Sequence, residues 1–239
     1  MLKHQTVPRL SFPPPKAKDN PPIPGYLRNV YNWAYLDPQN VQLLDRDLVV
    51  SLILWGNHKK LQRAAFAEFK TGQRVLHASH VYGSLIPNLA ELLGPFGRLE
   101  VIDVAPVQVE NCRRKLRGFS WAKVRLADAR DPGGGPFDAV NCYFLLHEMP
   151  DGCKRAVIDA LLAKIRPGGK VVFMDYHKPK WWHPLKGIMS LVFDLLEPFA
   201  EGLWVHEISE FASNSEGFAW TKETYFGGLY QKVVVKRVL

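Results

Sequence analysis

The chain has 239 residues, of which 47% are hydrophobic, and a formal net charge of +8 at pH 7. This length suits one α/β core, and the positive charge favours an anionic partner, either nucleic acid or a membrane surface with acidic lipids. The three cysteines, an odd number without metal-ligand spacing, argue against a disulfide framework and favour a reducing compartment.

The N-terminal residues 1–25 are predicted to form a flexible arm. They lack the long apolar run of a secretory signal, and residues 12–24 are rich in Pro and Lys, as linkers are. Apolar residues with helical spacing then predict a helical cap over residues 26–72. The predicted helices run from Tyr26 to Asp37-Pro38, from a cap at Asn40 to Gly56, and from Lys59 to near Gly72.

From residue 73 onwards, predicted strands alternate with predicted helices. This alternation is typical of a doubly wound, mostly parallel sheet, in which ligands bind outside the carboxyl ends of the strands. We expect a single domain over residues 26–239, with a cofactor-binding core at 73–176 and a substrate- or membrane-facing helix and C-terminal strands at 177–239. The core strands are predicted over 74–77, 99–104, 123–127, 137–142 and 170–175, and the helices over 87–93, 107–117 and 153–164.

The core resembles class I S-adenosylmethionine (SAM) dependent methyltransferases over residues 72–176. Most of the resemblance rests on the segments FDAVNCYFLLHEMPD at 137–151 and IRPGGKVV at 165–172. It implies that family's α/β fold, here with added N-terminal helices, and SAM as the bound co-substrate.

The glycine-rich turn that these methyltransferases carry after the first strand is broken in this chain. Residues 75–83 read VLHASHVYG, with His77 in place of an acid, Ser79 and Val81 in place of two glycines, and Gly83 retained. We therefore expect the scaffold to handle SAM in an unusual way. The predicted cofactor-binding residues are His77, Ser79, Val81, Tyr82, Gly83, Asp103, Val104, Asp128, Ala129 and Asn141.

Two acids occupy the positions that hold the nucleoside in such proteins. Asp103 ends the second strand about 20 residues after the turn, where a carboxylate binds the ribose hydroxyls. Its alternative role is to cap the next helix. Asp128 matches the position that meets the adenine amino group, and the alternative is an ordinary turn residue.

A closer resemblance, to the RquA family of rhodoquinone biosynthesis, spans nearly the whole chain after the arm. It rests on YLRNVYNWAYLDP at 26–38, the broken turn VYG at 81–83 and FGGLYQKVV at 226–234. The resemblance implies conversion of ubiquinone to rhodoquinone, in which an amino group from SAM replaces a ring methoxy group. It also implies a divalent metal, Mn²⁺, and a cytoplasmic enzyme peripherally associated with the bacterial inner membrane.

The loss of the acid at His77 has a chemical interpretation. A carboxylate beside the methionine amine would raise the pKa of that amine and suppress its nucleophilicity. His77 removes this obstacle and offers a proton acceptor. The alternatives are a degenerate, non-catalytic fold and a methyltransferase with a differently packed turn.

Candidate acid–base groups lie near the carboxyl ends of the predicted strands. The predicted catalytic residues are His77, Tyr82, Tyr143 and His147. Asp175, Tyr176 and His177 follow at the end of the fifth strand. His147 is suited to protonate a quinone oxygen or to accept a proton from the attacking nitrogen, because its ordinary pKa lies near neutrality. A structural role is the alternative.

No spacing in the chain identifies a metal site. His77 and His80 lie on the turn without an obvious carboxylate partner. Asp103, Asp128 and Asp175 offer the hard oxygen ligands that Mn²⁺ or Mg²⁺ prefers. The metal ligands therefore stay unassigned.

The segment from Trp181 to Phe199 predicts an amphipathic helix after the fifth strand. Charged residues interrupt its apolar run, so it does not predict a membrane span. Trp181, Trp182 and the nearby lysines suit a membrane interface, where a polyprenyl quinone is accessible. The alternative is a helix that covers the sheet, and both roles are compatible if one face is buried.

The expected function is SAM-dependent amination of ubiquinone at a membrane surface. A second enzymatic hypothesis is methylation of a quinone or another lipidic or small acceptor. A third is a non-catalytic SAM-fold protein that binds lipid or RNA through its basic face. Nucleic acid is not expected as a partner, because the basic residues are dispersed and no recognition motif accompanies them.

Overall fold

A computed structural model describes residues 21–238. Residues 1–20, most of the predicted arm, and residue 239 lie outside this part of the chain. The α-helices are α1 Gly25–Asn29, α2 Pro38–Leu44, α3 Asp47–Ile53, α4 His58–Phe66, α5 Leu85–Leu93, α6 Pro106–Lys115, α7 Asp151–Leu162, α8 Lys186–Leu196 and α9 Gly202–Val205. The strands are β1 Arg74–Ala78, β2 Arg98–Asp103, β3 Ala122–Leu126, β4 Phe137–Tyr143, β5 Ile165–Tyr176, β6 Phe218–Tyr225 and β7 Tyr230–Arg237. A π-helical turn covers Asn32–Leu36, and 3₁₀ turns cover Leu146–Glu148 and Ile208–Phe211.

The strands form one mostly parallel sheet in the order β3-β2-β1-β4-β5-β7-β6. The first five strands pair in parallel, and β7 lies antiparallel between β5 and β6. The predicted doubly wound fold is thereby confirmed. Because the strand order reverses between β1 and β4, the carboxyl ends of these two strands open a crevice there.

Alternating apolar residues bury both faces of the sheet. On β1, Val75 belongs to the cluster that includes α4, α5, α6 and α8, whereas Leu76 belongs to the cluster that includes α7. On β5, Val172 belongs to the first of these clusters and Val171 to the second. Successive side chains of a strand point to opposite faces, so the strands that read as continuous apolar runs are covered by helices on both sides.

The helix predicted from Asn40 to Gly56 is wrong in its start and its continuity. Asp37, not Asn40, caps α2, since its Oδ1 accepts hydrogen bonds from the backbone N–H groups of Gln39 and Asn40 at 2.8 and 3.4 Å. The chain then breaks between α2 and α3. At this break the carboxylates of Asp45 and Asp47 turn towards the loop after β1 and bind its backbone N–H groups.

The N-terminal cap, defined here as α1 to α3, packs over the carboxyl edge of the sheet. Leu27 and Tyr31 form a small buried cluster with Ala105, which directly follows the end of β2. The ring of Tyr35 stacks on that of Tyr82 in the turn after β1, with 5.8 Å between the ring centroids. The cap thus encloses the edge at which the fold binds ligands.

Candidate active site

Two cavities adjoin at the carboxyl edge of the sheet. The small cleft, with about 570 Å³ of empty space, is lined by the ends of β1, β2 and β3 and by α1. The large pocket, with about 1040 Å³, is lined by the cap, the turn after β1 and the residues that follow β4 and β5. Tyr35, His80 and Glu148 line both cavities, so these three side chains form the boundary between them.

The structure distributes the predicted site residues over these two cavities. Ser79, Asp103, Val104, Asp128 and Ala129 line the small cleft. Val81, Tyr82, Tyr143, His147 and Tyr176 line the large pocket. Most of the predicted cofactor and catalytic residues therefore line one or the other of the two adjoining cavities.

Asp103 lies buried at the end of β2 in the wall of the small cleft. Its Oδ2 accepts a hydrogen bond from the backbone N–H of His80, and its Oδ1 accepts one from Ala105, both at 2.8 Å. Burial raises the pKa of Asp103 to about 6, against the lowering effect of these N–H groups. The residue that precedes α6 is Ala105, so Asp103 does not cap that helix. A carboxylate has about four acceptor sites, so capacity for two ribose hydroxyls remains.

Asp128 also lines the small cleft and is paired with Arg130. The guanidinium Nη2 lies 2.6 Å from Oδ2 of Asp128, and the backbone N–H of Arg130 donates to Oδ1 at 2.8 Å. This arrangement fixes the carboxylate on a tight turn after β3. Nε of Arg130 also lies 3.1 and 3.0 Å from Oδ1 and Oδ2, so each oxygen already accepts two hydrogen bonds from Arg130. An adenine contact at Asp128 would therefore have to replace one of the bonds to Arg130.

The broken turn keeps a glycine-like backbone. Ser79, at the first replaced glycine position, has φ of 71°, and the retained Gly83 has φ of 76°. A Cβ at Gly83 would lie 2.6 Å from Oδ1 of Asp47. The N–H groups of Gly83 and Ser84 donate to Asp45 and Asp47 at 2.7 and 2.8 Å. Carboxylates of the cap therefore satisfy N–H groups just before the N-terminus of α5.

His77 and Asn141 line neither cavity. They lie fully buried on neighbouring strands, and the amide Nδ2 of Asn141 donates to Nδ1 of His77 at 3.0 Å. Nε2 of His77 and Oδ1 of Asn141 have no hydrogen-bond partner among the described residues. Burial, with smaller effects of His80 and Lys115, lowers the pKa of His77 to about 3. The imidazole is thus neutral and a weak base, and the geometry gives no support to the predicted role of His77 as a proton acceptor.

His147 and Asp175 form a buried pair at the base of the large pocket. Nδ1 of His147 lies 2.8 Å from Oδ1 of Asp175, and Nε2 lies 3.8 Å from Oε2 of Glu197. Burial alone would lower the pKa of His147, but the carboxylates of Asp175 and Glu197 outweigh it and raise this pKa to about 9. His147 is therefore a charged proton donor at neutral pH.

Two of the remaining candidates, Tyr82 and His177, have structural hydrogen-bond partners. The Tyr82 hydroxyl donates to the carbonyl of Ala34 and accepts from Nε2 of Gln108 at 2.9 Å. Burial raises the pKa of Tyr143 well above its ordinary range. His177 contacts the carbonyl of Gly228 at 2.8 Å and lines neither cavity.

The described residues provide no metal centre. No group of three or more His, Cys, Asp or Glu side chains in residues 21–238 has the geometry to hold a metal ion. Nδ1 of His80 lies 2.7 Å from Oε1 of Gln108, and Nε2 lies 3.2 Å from Nζ of Lys115. Both ring nitrogens are therefore engaged. Asp175 contacts His147 and therefore has a different role from Asp103 and Asp128.

Sequence reasoning missed three residues of the site. Glu148 directly follows His147 in the motif, but only His147 was predicted as an acid–base group. Tyr35 lies in the N-terminal segment 26–38, and Glu197 follows α8. Nothing local in the sequence shows that these two distant segments meet at His147. A charged residue directly after the motif histidine was the available signal for Glu148.

Comparison with known proteins agrees with this geometry. Residues 75–169 match a family described as methyltransferase domains. The ubiquinone/menaquinone biosynthesis C-methyltransferase UbiE of Shewanella piezotolerans is 26% identical over 157 residues, which cover 62% of this chain and 59% of the relative. The UbiE of Erwinia tasmaniensis is 23% identical over 163 residues, covering 65% and 64%. The match thus spans less than two thirds of the length of these relatives.

Solved structures share the architecture at low identity. The mitomycin 7-O-methyltransferase MmcR superposes with a TM-score of 0.64 at 18% identity, covering 84% of this chain and 58% of that one. Human N-acetylserotonin methyltransferase in complex with SAM gives 0.61 at 14% identity, covering 90% and 62%. A SAM-dependent methyltransferase of Aquifex aeolicus gives 0.55 at 17%, covering 84% and 99%. With its strand order and its match over residues 75–169, the chain therefore has the fold of the class I SAM-dependent methyltransferases.

Proposed function

We propose that the protein is a SAM-dependent transferase that converts ubiquinone to rhodoquinone, with SAM as the donor of the amino group that replaces a ring methoxy group. The observation that carries the SAM-dependent part is the pair of adjoining cavities, in which the small cleft has the predicted nucleoside residues and the large pocket is open to an acceptor. The amino transfer is supported by the resemblance of three segments to the RquA family.

The residues of the small cleft fit the nucleoside part of SAM. The carboxylate of Asp103 is fixed by two backbone N–H groups and has acceptor capacity left for a diol. The carboxylate of Asp128, which lines the same cleft, is held by Arg130.

The large pocket fits a quinone ring. Its walls are mostly apolar and aromatic, and they include Trp33, Phe144 and Tyr176. Aromatic side chains stack on flat rings, and a few polar groups among them orient a ligand. The names of the UbiE relatives point to quinone chemistry on a related scaffold.

When bound, SAM would supply the nitrogen that bonds to the ring carbon, and the methoxy group would leave as methanol. His77 leaves a neutral group where relatives carry an acid, so no carboxylate at this position holds the amine in its unreactive ammonium form. The charged His147 is suited to donate a hydrogen bond or a proton to the quinone oxygen, on which negative charge develops during attack. Asp175 orients His147 and compensates its charge.

Exposed apolar side chains suit access from a lipid surface. On α8, Met189 and Phe193 are buried in the core, whereas Ile188, Leu191 and Leu195 are exposed on another face. This division is compatible with both roles considered for the helix. The cap exposes a second set, which includes Leu48, Leu52, Ile53 and Trp55. Ile53 also lines the large pocket, so this apolar surface reaches the pocket wall. No helix within residues 21–238 has the length and apolar character needed to cross a membrane.

A product assay tests the proposal. Purified protein is incubated with ubiquinone, Mn²⁺ and SAM that carries ¹⁵N at its amino group, and the quinones are analysed by mass spectrometry. The expected product has lost the methoxy group and gained a labelled amino group. An unlabelled amine, or no quinone product under conditions in which SAM binds, contradicts the proposal.

Methylation of a quinone is the second candidate, because the named relatives are quinone C-methyltransferases. In the same assay a methylated quinone with an intact methoxy group identifies that activity. SAM binding without any product identifies a non-catalytic protein. The divalent metal is implied by the RquA resemblance only, and the described residues form no site for it.

A further inference from the structure

Although the protein is basic, the Asp, Glu, Lys and Arg side chains that line its cavities are all acids. The chain has a formal net charge of +8, yet neither cavity is lined by any Lys or Arg of the described residues. Both cavities carry carboxyl groups: Asp47, Glu148 and Glu197 in the large pocket, and Asp103, Asp128 and Glu148 in the small cleft. Such a lining favours a cationic ligand.

Glu148 has a special position among these acids because it lines both cavities. It ends the 3₁₀ turn that follows β4, it is buried, and Tyr35 of the cap lies against its carboxyl group. The other carboxylates have structural partners or positions at one end of a cavity. Asp103 binds two backbone N–H groups, Asp128 binds Arg130, and Asp47 binds Ser84.

Within residues 21–238, no Lys or Arg lines the cavities that meet at Glu148. Its charged neighbours are His147, Glu197 and Asp103, and His147 is already in direct contact with Asp175. The other titratable groups that face it are the hydroxyls of Tyr26, Tyr31, Tyr35, Tyr82 and Tyr176 and the thiol of Cys142. A buried carboxylate without its own counter-charge is unfavourable, so this position favours a positive ligand group.

We infer that Glu148 is the counter-charge for the sulfonium of SAM and that it makes the site prefer SAM over its demethylated form, S-adenosylhomocysteine (SAH). The inference rests on the SAM-dependent part of the proposed function. The sulfonium sulfur is joined to C5′ of the ribose, away from the adenine, so adenine at Asp128 and ribose at Asp103 would place the sulfur away from Asp128. Transfer to an acceptor in the large pocket then requires the sulfonium to face the boundary between the two cavities. Glu148 lies at that boundary. SAH has the same ribose and ammonium but a neutral sulfur, so a carboxylate here distinguishes the two.

This arrangement couples binding to proton release. Burial raises the pKa of Glu148 to about 8 in the free protein, against the lowering effects of His147 and Tyr35. At pH 7 the group is therefore mostly protonated. A sulfonium beside it favours the carboxylate and lowers this pKa. SAM binding should then release a proton, and SAM affinity should rise with pH up to about 8.

Titration calorimetry of the full chain tests the inference with SAM and SAH. In buffers of different ionisation enthalpy at pH 7, wild-type protein should release up to about one proton per SAM bound, and clearly less per SAH. Glu148→Gln should weaken SAM binding by about tenfold or more, while SAH affinity changes by less than about threefold. Glu148→Asp should restore part of the preference.

Asp47→Asn is the matched control, because Asp47 lines the large pocket but not the small cleft and is not among the charged neighbours named for Glu148. This variant should keep the wild-type ratio of SAM to SAH affinity. An unchanged ratio in Glu148→Gln, or equal proton release with SAM and SAH in the wild type, overturns the inference while leaving SAM binding intact. The wild-type measurement decides the question even if the variant does not fold. Failure of the wild type to bind either ligand would instead contradict the proposed function.

Discussion

Oδ2 of Asp103 accepts a hydrogen bond from the backbone N–H of His80 at 2.8 Å, so the end of β2 holds the turn that follows β1. Asp103→Ala removes this bond and the proposed ribose contact together. We expect SAM affinity to fall by roughly 1.5 to 3 kcal/mol, because hydrogen bonds to a charged group are lost. Calorimetry measures the loss, and Asp103→Asn, which keeps one acceptor oxygen, should lose less. Unchanged affinity in Asp103→Ala would reject the ribose role.

The pair of His147 and Asp175 predicts a pH-dependent stability. The pKa of His147 is raised to about 9 in the folded protein, from an ordinary value near 6.5. The stabilisation is therefore fully present below about pH 6.5 and is lost as the pH rises through about 9, with a slope of at most about 1.4 kcal/mol per pH unit. Denaturant unfolding of wild type and His147→Gln from pH 6 to 10 measures the difference. A difference that grows with pH would contradict the assignment.

The left-handed backbone at Ser79 predicts that two substitutions differ in their effect on stability. At φ of 71°, a residue with a Cβ is strained by roughly 1 to 2 kcal/mol, whereas glycine is not. Ser79→Gly should change the free energy of unfolding by less than about 1 kcal/mol, since relief of strain offsets the added entropy of the unfolded chain. Ser79→Val, which is β-branched, should destabilise by more than about 1 kcal/mol. Thermal unfolding compares the two, and equal melting temperatures would argue against this backbone conformation.

Exposed apolar residues at the carboxyl edge predict membrane association. Replacing Trp181 and Trp182 together with Ser should reduce retention on anionic liposomes, and so should Leu48→Ser with Leu52→Ser, while SAM affinity stays nearly constant. Phe96→Ser is the control. Phe96 is 82% exposed and precedes β2, at the opposite edge of the sheet. Equal loss of retention in the control would show that general hydrophobicity, and not this surface, determines the binding.

His77→Asp tests the neutral group beneath the turn. A carboxylate there should favour the ammonium form of the cofactor amine, and each pKa unit of that stabilisation reduces the reactive fraction by roughly tenfold near neutral pH. The amination rate is measured against pH with ubiquinone and ¹⁵N-labelled SAM. His77→Asn keeps the site neutral and should retain more activity, with circular dichroism as the folding control for both. Wild-type rates in His77→Asp across the whole pH range would remove the basis for this role.

The sheet was predictable because its signals are local. Each core strand is a short apolar run bounded by turn residues, and β2 and β3 start and end within a residue or so of the predicted positions. Asp103, Asp128 and His147 were predictable as site residues for the same reason, since parallel strands bring their carboxyl ends to one edge.

The cap was less predictable because its structure depends on distant partners. The apolar run before Gly56 favours one long helix, but Asp45 and Asp47 gain hydrogen bonds to Gly83 and Ser84 only if the helix breaks between them. The buried state of His77 was equally hidden, because the first-strand position alone does not show whether a side chain reaches a cavity. Tertiary contacts overrode local pattern in both cases.

The ring of Tyr35 is a common wall of the two cavities. A ligand on one side that shifts this ring changes the space available on the other, so the affinities of cofactor and acceptor depend on each other. Such linkage is reciprocal: whatever factor the first ligand adds to the binding of the second, the second adds to the first. Because Tyr35 belongs to the cap and stacks on Tyr82, the state of the cap enters both equilibria at once.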